Sequence, residues 1–228
     1  MSTLDPSPLL VALQHADSQF PSGGFAFSQG LEASALLKDT LGGWDLADFI
    51  LTQLGQRWAE ADRVALIRAH RCGSELAGVA ELDLEVEAST FVDGLRAGSR
   101  RNGMALLTTH ARIGTPQASQ YRALVREGSA CGHLAVMQGL LWRAVGLDET
   151  AAASISGYQA AASLATAAIR LGLIGAIEAQ AILTTALPVI AGICREPIAD
   201  DEPIRSFNPL TEIAVSFHRG GGQRLFSN

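Results

Sequence analysis

The chain has 228 residues, 48% of them hydrophobic and 18% charged, with a net charge of −6 and a pI near 5.3. Soluble domains average roughly 25% charged residues, so this chain has little charge to spread over its surface. An acidic chain lacks the basic footprint that displaces counterions from nucleic acid, and an anionic membrane surface does not attract it. Of its 17 basic residues only Lys38 is a lysine. No glycine loop precedes Lys38, which excludes P-loop nucleotide binding, and Schiff-base chemistry would rest on that residue alone.

Apolar spacing by three and four predicts helix nearly throughout. Leu9, Leu10, Leu13 and His15 open a short apolar segment, which ends in the Pro- and Gly-dense turn Ser18 to Gly24. A second helix is expected near Ser28. Asp45 can cap a long helix through Leu46, Phe49, Ile50, Leu54, Trp58, Ala61 and Ala65. Glu75 to Leu84 reads as a loop and the entry to a helix running from Glu85 to Leu107, weakened by the stretch Gly98 to Gly103. Helices are expected from Thr115-Pro116 through Val125, from Ser129 to Gly146, from Ala151 to Leu171 and from Gly175 to Gly192. Alternating Val, Ile and Thr runs are missing, so no sheet is predicted. Short connections suit an antiparallel bundle. The expected architecture is a single all-α domain over residues 1–228, with residues 1–8 and 198–228 as flexible or partner-ordered arms. A helical turn at Leu210 to Phe217 is placed in the second arm.

Two apolar stretches compete as membrane spans. Ala151 to Ile169 is rich in Ala, Ser and Thr, and Leu171 to Ile193 carries Glu178 and Pro188. A lone carboxylate is costly in lipid, so both are read as buried helices packed through small residues, and no membrane partner is expected. Cys72, Cys131 and Cys194 lie far apart and form no C-x-x-C. That fits a reducing cytoplasm rather than a disulfide framework or a zinc site. Met1 to Pro8 shows no secretory leader.

Chemistry-bearing residues are sparse. Ala26-Phe27-Ser28-Gln29-Gly30 approaches the G-x-S-x-G nucleophile elbow, which needs a strand before the Ser and a His base in reach. A Pro-Gly turn precedes it instead, so Ser28 reads as a helix cap or an interface residue. His15, His70, His110, His133 and His218 form no pair at three or four residues, so no metal-binding set is expected. Glu81, Asp83, Glu85 and Glu87 read as a solvated acidic face. Arg96, Arg100 and Arg101 form a basic spot suited to pairing within the chain. Phe25 and Phe27 follow Gly23-Gly24 and cannot both face one side of a helix, so one is available to a partner.

Phe20-Pro21-Ser22-Gly23-Gly24-Phe25-Ala26-Phe27-Ser28-Gln29-Gly30-Leu31-Glu32 resembles the signature of the urease accessory protein F family, Leu-Pro-x-Gly-Gly-Phe-x-Tyr-Ser-x-Gly-Leu-Glu. Arg100 to Leu107, Gly132 to Gly146, Ala167 to Gln180 and the terminal Arg224-Leu225-Phe226 are similar to further family segments. The resemblance implies an all-α protein with no catalysis and no cofactor of its own. It implies a cytoplasmic chaperone of nickel insertion that dimerises and binds the accessory protein D/H. It also implies recruitment of the nickel-carrying GTPase, accessory protein G, and contact with urease apoprotein through the complex. Phe25, Phe27, Ser28, Gln29 and Glu32 then fall in a partner-contact region, and Arg224, Leu225 and Phe226 in a tail that docks on D/H. Phe27 replaces the family Tyr, and Gly220 to Gly222 alter the tail's charge pattern. A serine hydrolase using Ser28 and a direct nickel-binding metallochaperone are the alternatives.

Overall fold

The computed structural model of the chain describes residues 7–22, 29–36 and 45–217. Among them all regular structure is helical and there is no strand, as the apolar spacing requires. Asp45 starts the central column. Its carboxylate accepts from Ala47 N at 2.8 Å and Asp48 N at 3.2 Å, which satisfies donors that no helical carbonyl can reach. Helix α3 (Leu46–Gln53), a π-helical stretch (Leu54–Asp62) and α4 (Arg63–Cys72) then run on without a break. In the π stretch the carbonyls of Gln56 and Glu60 accept from Phe207 N at 3.3 Å and Arg205 N at 3.0 Å. Buried Trp58 donates from Nε1 to Ser156 Oγ at 3.2 Å. Ser156 Oγ donates to Gln138 Oε1 at 3.0 Å, Gln138 Nε2 to Gln159 Oε1 at 3.1 Å, and Gln159 Nε2 to His15 O at 2.6 Å. This chain of donors threads the apolar interior and fixes how four helical segments are aligned.

Two boundaries differ from the sequence expectation. Helix α5 (Leu76–Ser89) already includes the residues read as a loop, and the break falls at Thr90–Val92, before α6 (Asp93–Arg112). The stretch Gly98 to Gly103 stays helical inside α6. Following α7 (Ala118–Arg126), helix α8 (Leu134–Ala144) starts at Leu134 and not at Ser129. Residues 129–133 form a loop held by side chains of α5 and α6.

Helix α9 (Glu149–Arg170), capped by Asp148 through Ala151 N at 2.7 Å, crosses the core. It packs most closely on α10 (Ala176–Arg195). The expectation that both late apolar segments are buried holds for α9 and fails for α10. Ala179, Leu183, Ala186 and Ile190 are the buried face of α10. The other side exposes Ile177, Leu187 and Val189, with Ile177 85% exposed. Among the described residues α10 is the helix long and apolar enough to cross a bilayer, by length and composition. Its C-terminus is bound to the column by buried Arg63, whose Nη1 donates to Ile193 O at 2.6 Å and Glu196 O at 2.9 Å. A guanidinium there meets the negative end of the helix dipole.

Residues 198–208 then run back along α4. Arg71 Nη1 donates to Ile198 O at 2.8 Å and to Asp200, while Arg68 donates to Glu202 O at 3.2 Å and to Glu85. The helical turn expected at Leu210 to Phe217 is a helix, α11 (Pro209–Phe217). Gln53 Nε2 donates to Thr211 Oγ1 at 2.7 Å in a buried contact that ties α11 to α3.

Candidate functional site

Two of the sequence-predicted site residues fall within the described chain. Gln29 and Gly30 form a turn with positive φ, 50° and 87°, ahead of α2 (Leu31–Leu36). Gln29 Nε2 donates to Ser163 Oγ at 2.6 Å and approaches Ala160 O at 3.4 Å, which anchors the turn on α9. Gly30 lies against α11: a Cβ there would overlap Thr211 Cγ2. Helix α2 is packed between α9 and α11. Glu32, expected at a partner surface, is 5% exposed because those two helices enclose the short α2. Phe25, Phe27 and Ser28, and the tail residues Arg224, Leu225 and Phe226, lie outside the described residues. His218 does as well.

A second cluster, which sequence reasoning did not assemble, lies where α5, α6 and the start of α8 meet. Asp83 is completely buried. Its Oδ2 accepts from Tyr121 Oη at 2.9 Å, Cys131 N at 2.8 Å and Gly132 N at 2.6 Å, and its Oδ1 from His133 N at 2.9 Å. One carboxylate therefore holds the three backbone amides that lead into α8, where the helix dipole favours negative charge. One turn along α5, Glu87 Oε2 lies 2.8 Å from Nε2 of His133, a ring fully enclosed by protein. A carboxylate only accepts, so Nε2 carries the proton. Nδ1 then accepts from Ser99 Oγ at 3.1 Å, while Ser99 Oγ accepts from Leu134 N at 3.2 Å. Arg96 Nε and Arg100 Nη1 stand 3.4 and 3.5 Å from Glu87 Oε1, and Arg96 also pairs with Asp93. Arg96 and Arg100 of the basic spot are thus paired within the chain, as expected. The acidic run is not one solvated face, because Asp83 and Glu87 turn inward, four residues apart. The Cys131 thiol completes the group: Glu87, Cys131 and His133 offer ligand atoms that all lie within 4.8 Å of one another. Burial, then the charges of Asp83 and Glu87, push the Cys131 thiol up to about 11. Burial and Asp83 push the Tyr121 phenol upward as well.

The packing of α6 requires a glycine at Gly103. A Cβ at this position would overlap Gly132 O and stand 2.8 Å from His133 C and Leu134 N. The 131–133 loop rests directly on the α6 backbone. Gly103→Ala should lower stability by about 1–3 kcal/mol, read by urea unfolding. A neutral or stabilising result would mean that the loop can lift off α6 freely.

Large apolar side chains lie open in several places. Among them are Leu9, Leu10 and Leu13 on α1 (Ser7–Ala16), the outer face of α10, Leu210 and Ile213 on α11, and Phe91 and Phe207, which are 83% and 72% exposed. An open groove beside α11 is lined by Phe91, Val92, Pro209, Glu212 and Ile213. Single exposed apolar residues are ordinary, whereas grouped ones mark contact surfaces.

Comparison with known proteins places this architecture. The UreF family model matches residues 43–187. The chain belongs to the UreF family. The urease accessory protein UreF 1 of Brucella melitensis is 30% identical over 225 residues, covering 96% of this chain and 92% of that protein. The UreF of Trichodesmium erythraeum is 30% identical over 235 residues and the full length of both chains. That of Yersinia enterocolitica is 26% identical over 233 residues, with 99% of this chain and all of the relative covered. UreF proteins are urease accessory proteins by name, and the all-α fold agrees with the likeness that the signature suggested.

Proposed function

We propose that this UreF-family chain is a non-catalytic adaptor of urease maturation in the cytoplasm. In this reading it joins the accessory protein D/H to the nickel-carrying GTPase G, and reaches urease apoprotein through that complex. The observation that carries the reading is grouped apolar surface left uncovered in a member of an accessory-protein family, above all the outer face of α10. A chain whose surface is covered by partners can carry few charges, because interface cores are depleted of them. The 18% charged fraction fits that arrangement.

In this reading the α10 face pairs with a second copy of the chain, and a two-fold dimer presents each partner surface twice. Phe25, Phe27 and Ser28, which precede Gln29 in the sequence, contact the GTPase. Glu32 follows the turn at Gln29 and Gly30, in the first turn of α2. Arg224, Leu225 and Phe226 dock on D/H, with the two apolar residues as anchors and the guanidinium as a hydrogen-bonding fork. Coupling nucleotide state to metal release needs contacts that differ between GTPase states.

Co-purification with D/H and the GTPase, with urease activity as the readout, tests the proposal. Deleting residues 218–228 should abolish capture of D/H while the far-ultraviolet circular dichroism stays helical. Full-strength capture by the shortened chain would exclude the tail as the docking element.

A further inference from the structure

We propose that Glu87, Cys131 and His133 form a reversible binding site for one divalent transition-metal ion of borderline softness, such as Co²⁺, Ni²⁺ or Zn²⁺. The site stands on its own geometry and is independent of the adaptor role proposed above. One nitrogen, one sulfur and one carboxylate oxygen converge within 4.8 Å of one another. An ion held at about 2.0 Å by imidazole and carboxylate and about 2.3 Å by thiolate needs donors roughly 3–4 Å apart. Side-chain adjustments of an ångström or less therefore close the set. Mixed N, S and O donors select borderline ions over Mg²⁺ and Ca²⁺, which prefer all-oxygen shells. Three protein donors leave a fourth tetrahedral position for water, the arrangement of an open and exchangeable site.

The surroundings suit this use. The loop that carries Cys131 and His133 is already held by Asp83 through three backbone amides. Its backbone is held without recourse to the three candidate ligand atoms. His133 is enclosed, whereas Glu87 keeps a quarter of its side chain exposed, so the group opens to solvent on one side. Ser99 sits on Nδ1 of His133, in the position from which outer partners orient metal-binding imidazoles. The proton balance is simple. The Nε2 proton of His133 is lost and Nδ1 gains one that Ser99 Oγ accepts. The Cys131 thiol proton passes to solvent as the sulfur–metal bond forms, and Glu87 binds through a carboxylate oxygen. Two negative ligands cancel the ion's charge. Arg96 and Arg100 balance Glu87 while the site is empty and repel a bound cation, which favours release over permanent retention.

The test is titration of the full-length chain with Co²⁺ alone. A sulfur-to-metal charge-transfer band saturating at one ion per chain is expected. Cys131→Ser should lose the band, while Cys72→Ser and Cys194→Ser keep it. Glu87→Gln, at a partly exposed position, should weaken Co²⁺ binding at least about tenfold with its helical circular dichroism unchanged. Zn²⁺ and Ni²⁺ should displace Co²⁺, and Mg²⁺ should not. No band in the wild-type chain, a band that survives Cys131→Ser, or affinity unchanged in Glu87→Gln would overturn the assignment.

Discussion

Asp83→Ala should reduce the free energy of unfolding by about 4 kcal/mol or more, and Tyr121→Phe by only about 1 kcal/mol. The difference comes from what each change leaves behind. Phenylalanine removes one donor, and Oδ2 of Asp83 keeps Cys131 N and Gly132 N. Alanine removes the acceptor of three backbone amides in a place that water does not reach, since Asp83 is completely buried. Each stranded donor costs roughly 1–3 kcal/mol, and a cavity adds to the total. Asp83→Asn keeps the shape but turns an NH₂ group toward one of the amides, so about 3 kcal/mol is expected. Urea unfolding of the three variants measures this series. Asp83→Ala within about 1 kcal/mol of wild type would mean that the 131–133 loop is held by something other than the carboxylate.

The series also separates architecture from binding. Asp83 sits beneath the Glu87–Cys131–His133 group and touches none of its three candidate ligand atoms by the bonds that hold it. Its loss acts on the loop and reaches Cys131 and His133 only through it, whereas Glu87→Gln removes a candidate ligand and weakens the pairing with His133, Arg96 and Arg100. Asp83→Ala should therefore give the larger loss of stability, and Glu87→Gln the more direct loss of Co²⁺ affinity.

The parts of the fold legible in the sequence were local. Asp45 announced its cap, runs of alternating Val, Ile and Thr were missing, and apolar spacing marked most of the long helices. The break at Thr90–Val92 was not legible because neither Gly nor Pro marks it. Gly98 and Gly103 pointed to a break where none exists. Gly103 is small because Gly132 lies against it, and that contact joins residues 29 positions apart. Nor did the alternation of Glu81, Asp83, Glu85 and Glu87 reveal that Asp83 and Glu87 share the inward face of α5. The Cys131-x-His133 spacing was the available signal for the second cluster. Its third member lies 44 residues away on another helix, and only tertiary packing brings it near. For α10, the buried positions 179, 183, 186 and 190 follow helical spacing, but the uncharged residues between them gave no sign that the opposite face is open.

The remaining large effect is a loss of stability on acidification. His15 and His110 are buried, with ring centroids 5.2 Å apart, beside Phe20 and Trp142. His15 Nδ1 bonds Val11 O at 2.8 Å and His110 Nδ1 bonds Thr115 Oγ1 at 2.9 Å. The Nε2 atom of each ring has no hydrogen-bond partner. A proton added there would be a charge among aromatic rings without solvation. Burial, reinforced by neighbouring His15, accordingly pulls His110 down to about 4, and burial lowers His15 too. In the unfolded chain both rings titrate near 6.5. Between these values the unfolded state binds more protons, so stability rises with pH. The stabilising contribution is fully present above about pH 6.5. It falls away as pH drops toward 4 and loses nothing further below that. For His110 alone the difference amounts to about 3 kcal/mol, with His15 adding in the same direction. Urea unfolding at steps across this range should show the slope. His110→Phe keeps an aromatic ring in the stack and removes its titration, so the slope should flatten by more than half. An unchanged slope in that variant would place the acid sensitivity outside the histidine pair.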